Sequence, residues 1–278
     1  RRRPLARRRV GEPMSRARKS AGRRIDALAH WLLRFRVISA PARWIANSTI
    51  AWSVISRTDR IRRNRLRDRI KAAGPEMMPR HISMIMDGNR RFAWNRSINT
   101  DAGHAAGKKR LKDVMRWILD LEIPYLTVYA LSTENLTSRE GEELDTLFDL
   151  YVSGLEEIST DPLVHENRVK VQVVGRTDLL PDHVRKAITE AEEATSQYSD
   201  FLFTVCLAYG GREEIVDAVK TIAADHAAGD LDIDSIDPAA ISSRLYTADL
   251  PDPDLVIRTS GEERVSNFLL WQIAYSEL

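Results

Sequence analysis

Cysteine is almost absent from this sequence, and the one that occurs, Cys206, sits inside an apolar run. A lone cysteine excludes a disulfide framework and reads most simply as a small buried hydrophobe. That suits a reducing, cytoplasmic setting. Long uninterrupted apolar runs are missing too. Apolar residues are frequent between positions 25 and 56, but Arg34, Arg36 and Arg43 break them up before any stretch reaches the ~18 residues of a membrane span. Acidic residues are scarce in one region: positions 1–80 hold 23 Lys+Arg against 5 Asp+Glu, whereas positions 81–278 hold 19 against 35. The overall net charge of +2 hides this division, which marks a boundary near residue 80.

Before that boundary, residues 1–24 carry eleven basic residues and one acid with no apolar period, so they read as a disordered basic tail. The chain starts at Arg1 and its first methionine is Met14, so residues 1–13 read as upstream sequence or a cut precursor. Residues 25–79 read as a basic amphipathic helical extension. Ile25, Leu28, Ala29, Leu32 and Leu33 follow helical spacing, Pro41 interrupts, and a strongly basic helix over 57–73 stops at Gly74-Pro75. Trp31, Trp44 and Trp52 among these basic residues suit a peripheral contact with an anionic membrane through residues 15–73. The alternative is a helical stripe packed on the rest of the protein. The arm has neither an RNA-recognition motif nor a zinc module, so the charge does not point to nucleic acid.

From residue 80 onward, strand and helix patterns alternate. Strands are expected at Ile82–Met86, Tyr125–Leu131, Val169–Val174, Leu202–Ala208 and Leu255–Ile257. Helices are expected through Leu111–Leu119, Leu144–Leu155, about 182–197, Gly211–Ala228 and 238–245. Such alternation specifies an α/β fold: a mostly parallel central sheet with helices on both faces, joined by right-handed crossovers.

Polar clusters follow each strand: Asp87-Gly88-Asn89, Ser132-Thr133-Glu134-Asn135, Gly175-Arg176, Tyr209-Gly210-Gly211-Arg212 and Arg258-Thr259-Ser260-Gly261. In a parallel sheet these C-terminal ends share one edge, the usual place for ligands. Any one of them alone is an ordinary polar loop. Asp87 offers a hard carboxylate suited to Mg²⁺, Gly88 permits close backbone approach, and Arg90 and Arg91 can fork onto phosphate oxygens. Gly103-His104-Ala105-Ala106-Gly107 is read as opening a helix whose free N–H groups favour an anion. A histidine such as His104 in the first turn of a helix is a cap neighbour or a packed core group before it is a metal ligand. No second His or Cys stands at metal-ligand spacing, so zinc is not expected.

The motifs HISMIMDGNRRFA, GHAAG, YALSTEN, AYGGREEI and DLVIRTSGEERVSNFLLWQIAYSEL, spread over residues 81–278, resemble those of the cis-prenyltransferases, the undecaprenyl diphosphate synthase-like enzymes. The resemblance implies an 80–278 catalytic domain, usually in a homodimer. There isopentenyl diphosphate condenses with an allylic prenyl diphosphate in a Mg²⁺-dependent reaction to give a Z double bond and pyrophosphate. By position it implies that Asp87 holds the metal, assisted by Glu277. Gly88, Asn89, Arg90, Arg91, Phe92 and His104 would bind the allylic substrate; Arg258, Arg264 and Ser266 the isopentenyl diphosphate. Ser132, Glu134 and Asn135 would orient the homoallylic substrate, with Asn135 near the departing proton. The hydrocarbon would run through an apolar tunnel, for which the apolar faces of residues 104–120 and 142–158 are candidates, although core packing accounts for them equally.

Three positions depart from the family pattern. Thr100 stands where an arginine is usual, with Arg96 the nearest substitute; Leu136 replaces a frequent aromatic; and the following arginine falls one position late, at Arg139. Leu278 ends the sequence where the family normally continues with an aromatic, Pro-containing segment, so the C-terminus is expected to be incomplete. The rival function is a non-catalytic partner subunit of a heteromeric prenyltransferase, against which the retained Asp87 argues.

Overall fold

The computed structural model describes residues 62, 64–70, 72–138 and 141–278. Residues 62 and 64–70 are helical, in keeping with the basic pattern over 57–73. The expected tail at 1–24, most of the 25–79 extension and Arg139 lie outside the described residues. Residues 69–278 form one compact unit.

Five strands build that unit: β1 (His81–Ile85), β2 (Tyr125–Tyr129), β3 (Val169–Val174), β4 (Phe201–Cys206) and β5 (Leu255–Arg258). They form a single sheet in the order β3-β4-β2-β1-β5, and every pairing is parallel. All five lie within the expected runs or within a residue of them. Strand β1 is buried at every position and keeps a near-continuous apolar sequence, whereas edge strand β3 exposes Lys170 and alternates.

Eight α-helices connect the strands: α1 (Asn89–Arg96), α2 (Thr100–Asp120), α3 (Thr133–Ser138), α4 (Gly141–Ile158), α5 (Pro162–Glu166), α6 (Asp182–Thr195), α7 (Gly211–Ala228) and α8 (Pro238–Ser242). One face of the sheet, carrying Met84, Val128, Phe203 and Val205, packs against α2, α4, α5 and α6 through residues such as Met115, Leu155, Val164 and Val184. On the other face Ile85, Tyr129, Val174 and Cys206 meet Tyr209, Phe268 and Leu269. Helix α7 is tied in beside them by Glu214. This carboxylate is fully buried and accepts from the Tyr209 hydroxyl, from Gln272 Nε2 at 3.0 Å and from the Tyr246 N–H at 2.8 Å. Burial raises the Glu214 pKa above the ordinary glutamate value despite those donors.

Two local expectations are corrected. Asp87 to Arg91 is not wholly a loop, since α1 starts at Asn89, with Gly88 as its cap at φ 96°. The sequence NRRFAWNR gave no periodic signal because Ala93 is the one buried residue of that helix. The Gly103–Gly107 stretch does not open a helix. Helix α2 begins at Thr100, capped by Asn99, whose side-chain oxygen accepts from the Ala102 N–H at 2.8 Å. The two glycines serve packing instead. A Cβ on Gly103 would lie 2.6 Å from the Asn89 carbonyl oxygen, and one on Gly107 would lie 2.8 Å from the Asn89 side chain. Together they let α1 lie directly on α2.

Candidate active site

Parallel pairing of Ile85 with Arg258 brings the ends of β1 and β5 together, and Asp87 and Arg258 meet there. Asp87 Oδ2 accepts from Arg258 Nη2 at 2.6 Å and Nε at 3.1 Å, while Oδ1 accepts from the Gly88 N–H at 2.6 Å. Burial alone would raise the Asp87 pKa. Hydrogen bonds from Arg258, Ser260 and Gly88 outweigh it and hold the carboxyl below its ordinary value. Asp87 is therefore anionic at neutral pH. Its backbone is fixed as well, because the Asp87 carbonyl accepts from Thr259 Oγ1 at 2.6 Å.

Arg258 joins several parts of the edge. Its side chain is 8% exposed, and besides Asp87 it donates to the Arg264 carbonyl, to Ser266 Oγ at 2.9 Å and to Ser260 Oγ at 3.3 Å. The structure thus brings Asp87, Arg258, Arg264 and Ser266 together across more than 170 residues of sequence. Arg264 extends its guanidinium outward, 70% exposed, to within 3.7 Å of Glu262, and Arg91 reaches the same carboxylate at 3.5 Å.

A second cation–carboxylate group lies across α1, α2 and α4. Arg90 makes a two-pronged contact with Glu143, with Nε 2.9 Å from Oε1, and the buried His104 places Nε2 3.7 Å from the same Oε1. Asn89, Arg90 and Arg91 occupy the first turn of α1, where backbone N–H groups have no intrahelical acceptor. The anion-favouring helix start is thus at α1, beside Asp87, and not at the Gly-His-Ala-Ala-Gly stretch. Phe92 is 41% exposed and lies under the Arg96 guanidinium, whose carbon is 5.1 Å from the ring centroid. Arg96 is stacked there, and Thr100 sits half-buried at the start of α2.

After β2, Ser132 Oγ accepts from the Asn135 N–H at 3.1 Å, and Glu134 turns toward the Ser266 segment. The connector is Asn267, which the sequence reading missed. Its amide nitrogen donates to Glu134 Oε1 at 2.8 Å and to Glu213 Oε2 at 3.0 Å, and its side-chain oxygen accepts from the Arg212 N–H at 2.9 Å. Asn267 and Ser266 both have positive φ, 63° and 50°, and Asn tolerates that region better than most residues. One amide therefore fastens three of the loops that the parallel sheet gathers. The loop after β3 folds onto itself, with Arg176 bonded to Asp178 by both Nε and Nη2 at 3.1 Å.

Glu277 does not join Asp87 in this chain. Its N–H donates to the Asp254 carbonyl at 2.9 Å and its carbonyl accepts from the Val256 N–H at 2.8 Å, which holds Glu277 beside Leu255 at the opposite end of β5. Among the described residues no three His, Cys, Asp or Glu side chains converge as a metal cage. A single carboxylate nevertheless suits Mg²⁺, which keeps several waters and is held by one or two carboxylates plus substrate phosphates.

A cavity of about 200 Å³ leads away from this edge. Its wall starts at Asn89, His104 and Gly107, runs between α2 and α4 over Val128 and Val205, and ends at Leu163 and Val164. Among the described residues no helix is long and apolar enough to cross a membrane.

A family model described as putative undecaprenyl diphosphate synthase matches residues 85–278. The tritrans,polycis-undecaprenyl-diphosphate synthase (geranylgeranyl-diphosphate specific) of Methanopyrus kandleri is 52% identical over 201 residues, which cover 72% of this chain and 74% of that protein. The enzyme of the same name from Pyrococcus horikoshii is 51% identical over 202 residues, 73% of this chain and 76% of its own. Among solved structures, lavandulyl diphosphate synthase from Lavandula x intermedia in complex with dimethylallyl diphosphate superposes with a TM-score of 0.69 at 35% identity, covering 72% of this chain and 85% of that one. A probable undecaprenyl diphosphate synthase from Campylobacter jejuni gives 0.58 at 31% identity, over 71% and 83%.

Proposed function

The chain belongs to the undecaprenyl diphosphate synthase family and is a prenyltransferase, and on that premise we propose how its own residues carry the reaction. It condenses isopentenyl diphosphate with an allylic prenyl diphosphate to give a Z-polyprenyl diphosphate. The observation that carries this reading is the contact of Asp87 with Arg258, beside the free N–H groups of α1 and at the mouth of an apolar cavity. The relatives named geranylgeranyl-diphosphate specific support a C20 primer.

Arg90, Arg91, His104 and the first turn of α1 receive the allylic diphosphate, exchanging their contacts with Glu143 and Glu262 for phosphate oxygens. Charge-assisted contacts of this kind are the strong ones, and arginine forks match phosphate geometry. Arg258, Arg264 and Ser266 hold the isopentenyl diphosphate, with Arg258 already oriented by its four partners. Ser132, Glu134 and Asn135 position its reacting end, and the proton lost in condensation leaves near Asn135. Asp87 would hold Mg²⁺, which supplies positive charge where negative charge gathers on the departing diphosphate. The hydrocarbon chain extends between α2 and α4.

The protein works as a homodimer, to be checked by sedimentation, and residues 15–73 meet an anionic membrane surface. Full-length protein should pellet with anionic vesicles and not with neutral ones, and less so at high salt. For the reaction itself, labelled isopentenyl diphosphate is incubated with C10, C15 or C20 primers and Mg²⁺, with and without EDTA. Long products made from the C20 primer and lost in EDTA are expected. Absence of incorporation with every primer would overturn the assignment.

A further inference from the structure

The cavity-facing stripe of α2 is His104, Gly107, Lys108, Leu111, Lys112 and Met115, the i, i+3, i+4, i+7 spacing that normally gives an apolar face. Two lysines in such a stripe need an explanation, because an ammonium facing hydrocarbon is unfavourable unless it is paired. Both are paired, across the seam between α2 and the end of α4. Lys108 Nζ lies 3.2 Å from Glu157 Oε2 and 3.2 Å from Ser153 Oγ; Lys112 Nζ contacts Glu157 Oε1 and lies 3.0 Å from Asp161 Oδ2. Gly154 on α4 leaves a gap there, and the Lys108 stem fills it, with Cε 3.8 Å from where a Cβ would stand. The lysine methylenes therefore line the cavity while their charged ends reach carboxylates at its rim.

All four side chains keep some contact with water: Lys108 is 25% exposed, Lys112 29%, Glu157 42% and Asp161 19%. Elsewhere the wall is made of packed core residues such as Val128, Phe203 and Leu155. Parting a core wall opens a void, whereas parting partly hydrated ion pairs lets water and counterions replace each partner. A cavity of about 200 Å³ is smaller than even an ordinary small-molecule pocket of roughly 300–1,000 Å³. A chain that lengthens at every condensation must therefore displace part of the wall. The ion-paired seam is the part that gives at least cost.

We propose that Lys108, Lys112, Glu157 and Asp161 form a releasable clasp in the side wall of the cavity, and that its opening, more than the cavity floor, sets how long the prenyl product grows. This rests on the prenyltransferase reading and goes beyond it by naming what controls product length. Burial works against the Lys112 ammonium, but Glu157 and Asp161 hold its pKa above the ordinary value, and Lys112 holds the Glu157 carboxyl below its own. Against burial, Asp161 is likewise held below its ordinary value by Lys112, so Lys112, Glu157 and Asp161 carry their charges at neutral pH.

The test uses full-length protein, a C20 primer, labelled isopentenyl diphosphate and Mg²⁺, with products sized by reversed-phase chromatography. Glu157→Lys places three ammonium groups together and should shift the main product up by one or more C5 units. The rate of the first condensation should stay within about twofold, because the diphosphate contacts are untouched. Glu157→Asp should behave like wild type. Lys112→Met is the second variant, which removes one charge without repulsion, and a smaller shift in the same direction is expected. Raising the salt concentration should lengthen wild-type products more than those of Glu157→Lys. Unaltered product lengths in both variants, with wild type active, would sink the clasp alone. No incorporation by wild type would sink the prenyltransferase reading and the clasp with it.

Discussion

The diphosphate end and the hydrocarbon end of this molecule are both walled partly by paired charges, yet the pairs differ in kind. At the proposed diphosphate end, Arg90 with Glu143, Arg91 with Glu262 and Arg258 with Asp87 hold cations where the proposed function brings a polyanion. At the hydrocarbon end, Lys108 and Lys112 with Glu157 and Asp161 hold cations where nothing charged arrives. Arginine serves the first region and lysine the second. A planar fork can trade a carboxylate for a phosphate without reorganising, whereas a lysine supplies a long apolar stem with one charged end. On the proposed reading, one kind of contact is exchanged on binding and the other is parted during growth.

The comparison breaks most sharply at Asp87. Asp87→Asn keeps an acceptor for Arg258 and removes the charge, so circular dichroism should match wild type while condensation falls by at least about 10²–10³, the usual loss for a contact made at developing charge. Retained turnover in Mg²⁺ would remove Asp87 from the reaction. Asn267 should show a smaller and more selective effect. Asn267→Gly preserves the positive φ but deletes the amide bonds to Glu134 and Glu213, which should raise the KM for isopentenyl diphosphate about tenfold, since hydrogen bonds to charged groups contribute roughly 1.5–3 kcal/mol. The KM for the allylic primer should not move. If both constants rise together, Asn267 supports the whole edge and not one substrate.

Beneath the diphosphate end, Glu214 offers a stability measurement. Its buried carboxylate faces only donors, and Glu214→Gln turns one acceptor into a donor, for a loss of about 1–3 kcal/mol in urea unfolding. Its folded pKa is raised, so its contribution is fullest below the ordinary glutamate value and declines as pH rises through the folded value. The gap between wild type and variant should therefore be wider near pH 4 than near pH 8, values that bracket the ordinary glutamate pKa of about 4.3. A gap that widens toward pH 8 would mean the carboxylate is stabilised by its donors more than burial disfavours it.

How far the site could be read from sequence follows from which forces leave a periodic trace. The strands are legible because burial forces apolar runs in the central strands and alternation at the β3 edge, and the parallel-sheet rule then places Asp87 near Arg258 across 171 residues. Helix α1 left no trace because it buries only Ala93. Asn267 was invisible because its role depends on one backbone angle and three neighbours distant in sequence. Glu143 and Glu262, which hold Arg90 and Arg91, look like ordinary surface acids until the fold brings them together. Glu277 is a case where motif and placement diverge. Its motif is clear in sequence, but backbone pairing with Asp254 and Val256 fixes it at the other end of β5.

The smallest expected effect tests whether the diphosphate end is complete. Thr100 lies one helical turn before His104 and so on the same face of α2, the face that carries His104 beside Glu143 and Arg90. Arg96, the nearest substitute for the arginine usual at position 100, is stacked on Phe92. Thr100→Arg should add a fork to the allylic phosphates and lower the KM for the C20 primer by about threefold, a modest gain because a cation in the first turn of a helix opposes the dipole by roughly 0.3–1 kcal/mol. The KM for isopentenyl diphosphate and the product length should stay as they are, since neither Arg258 nor the lysine clasp is touched. An unchanged KM in Thr100→Arg, combined with a raised one in Arg96→Ala, would mean that Arg96 leaves Phe92 when substrate binds and already supplies the missing charge.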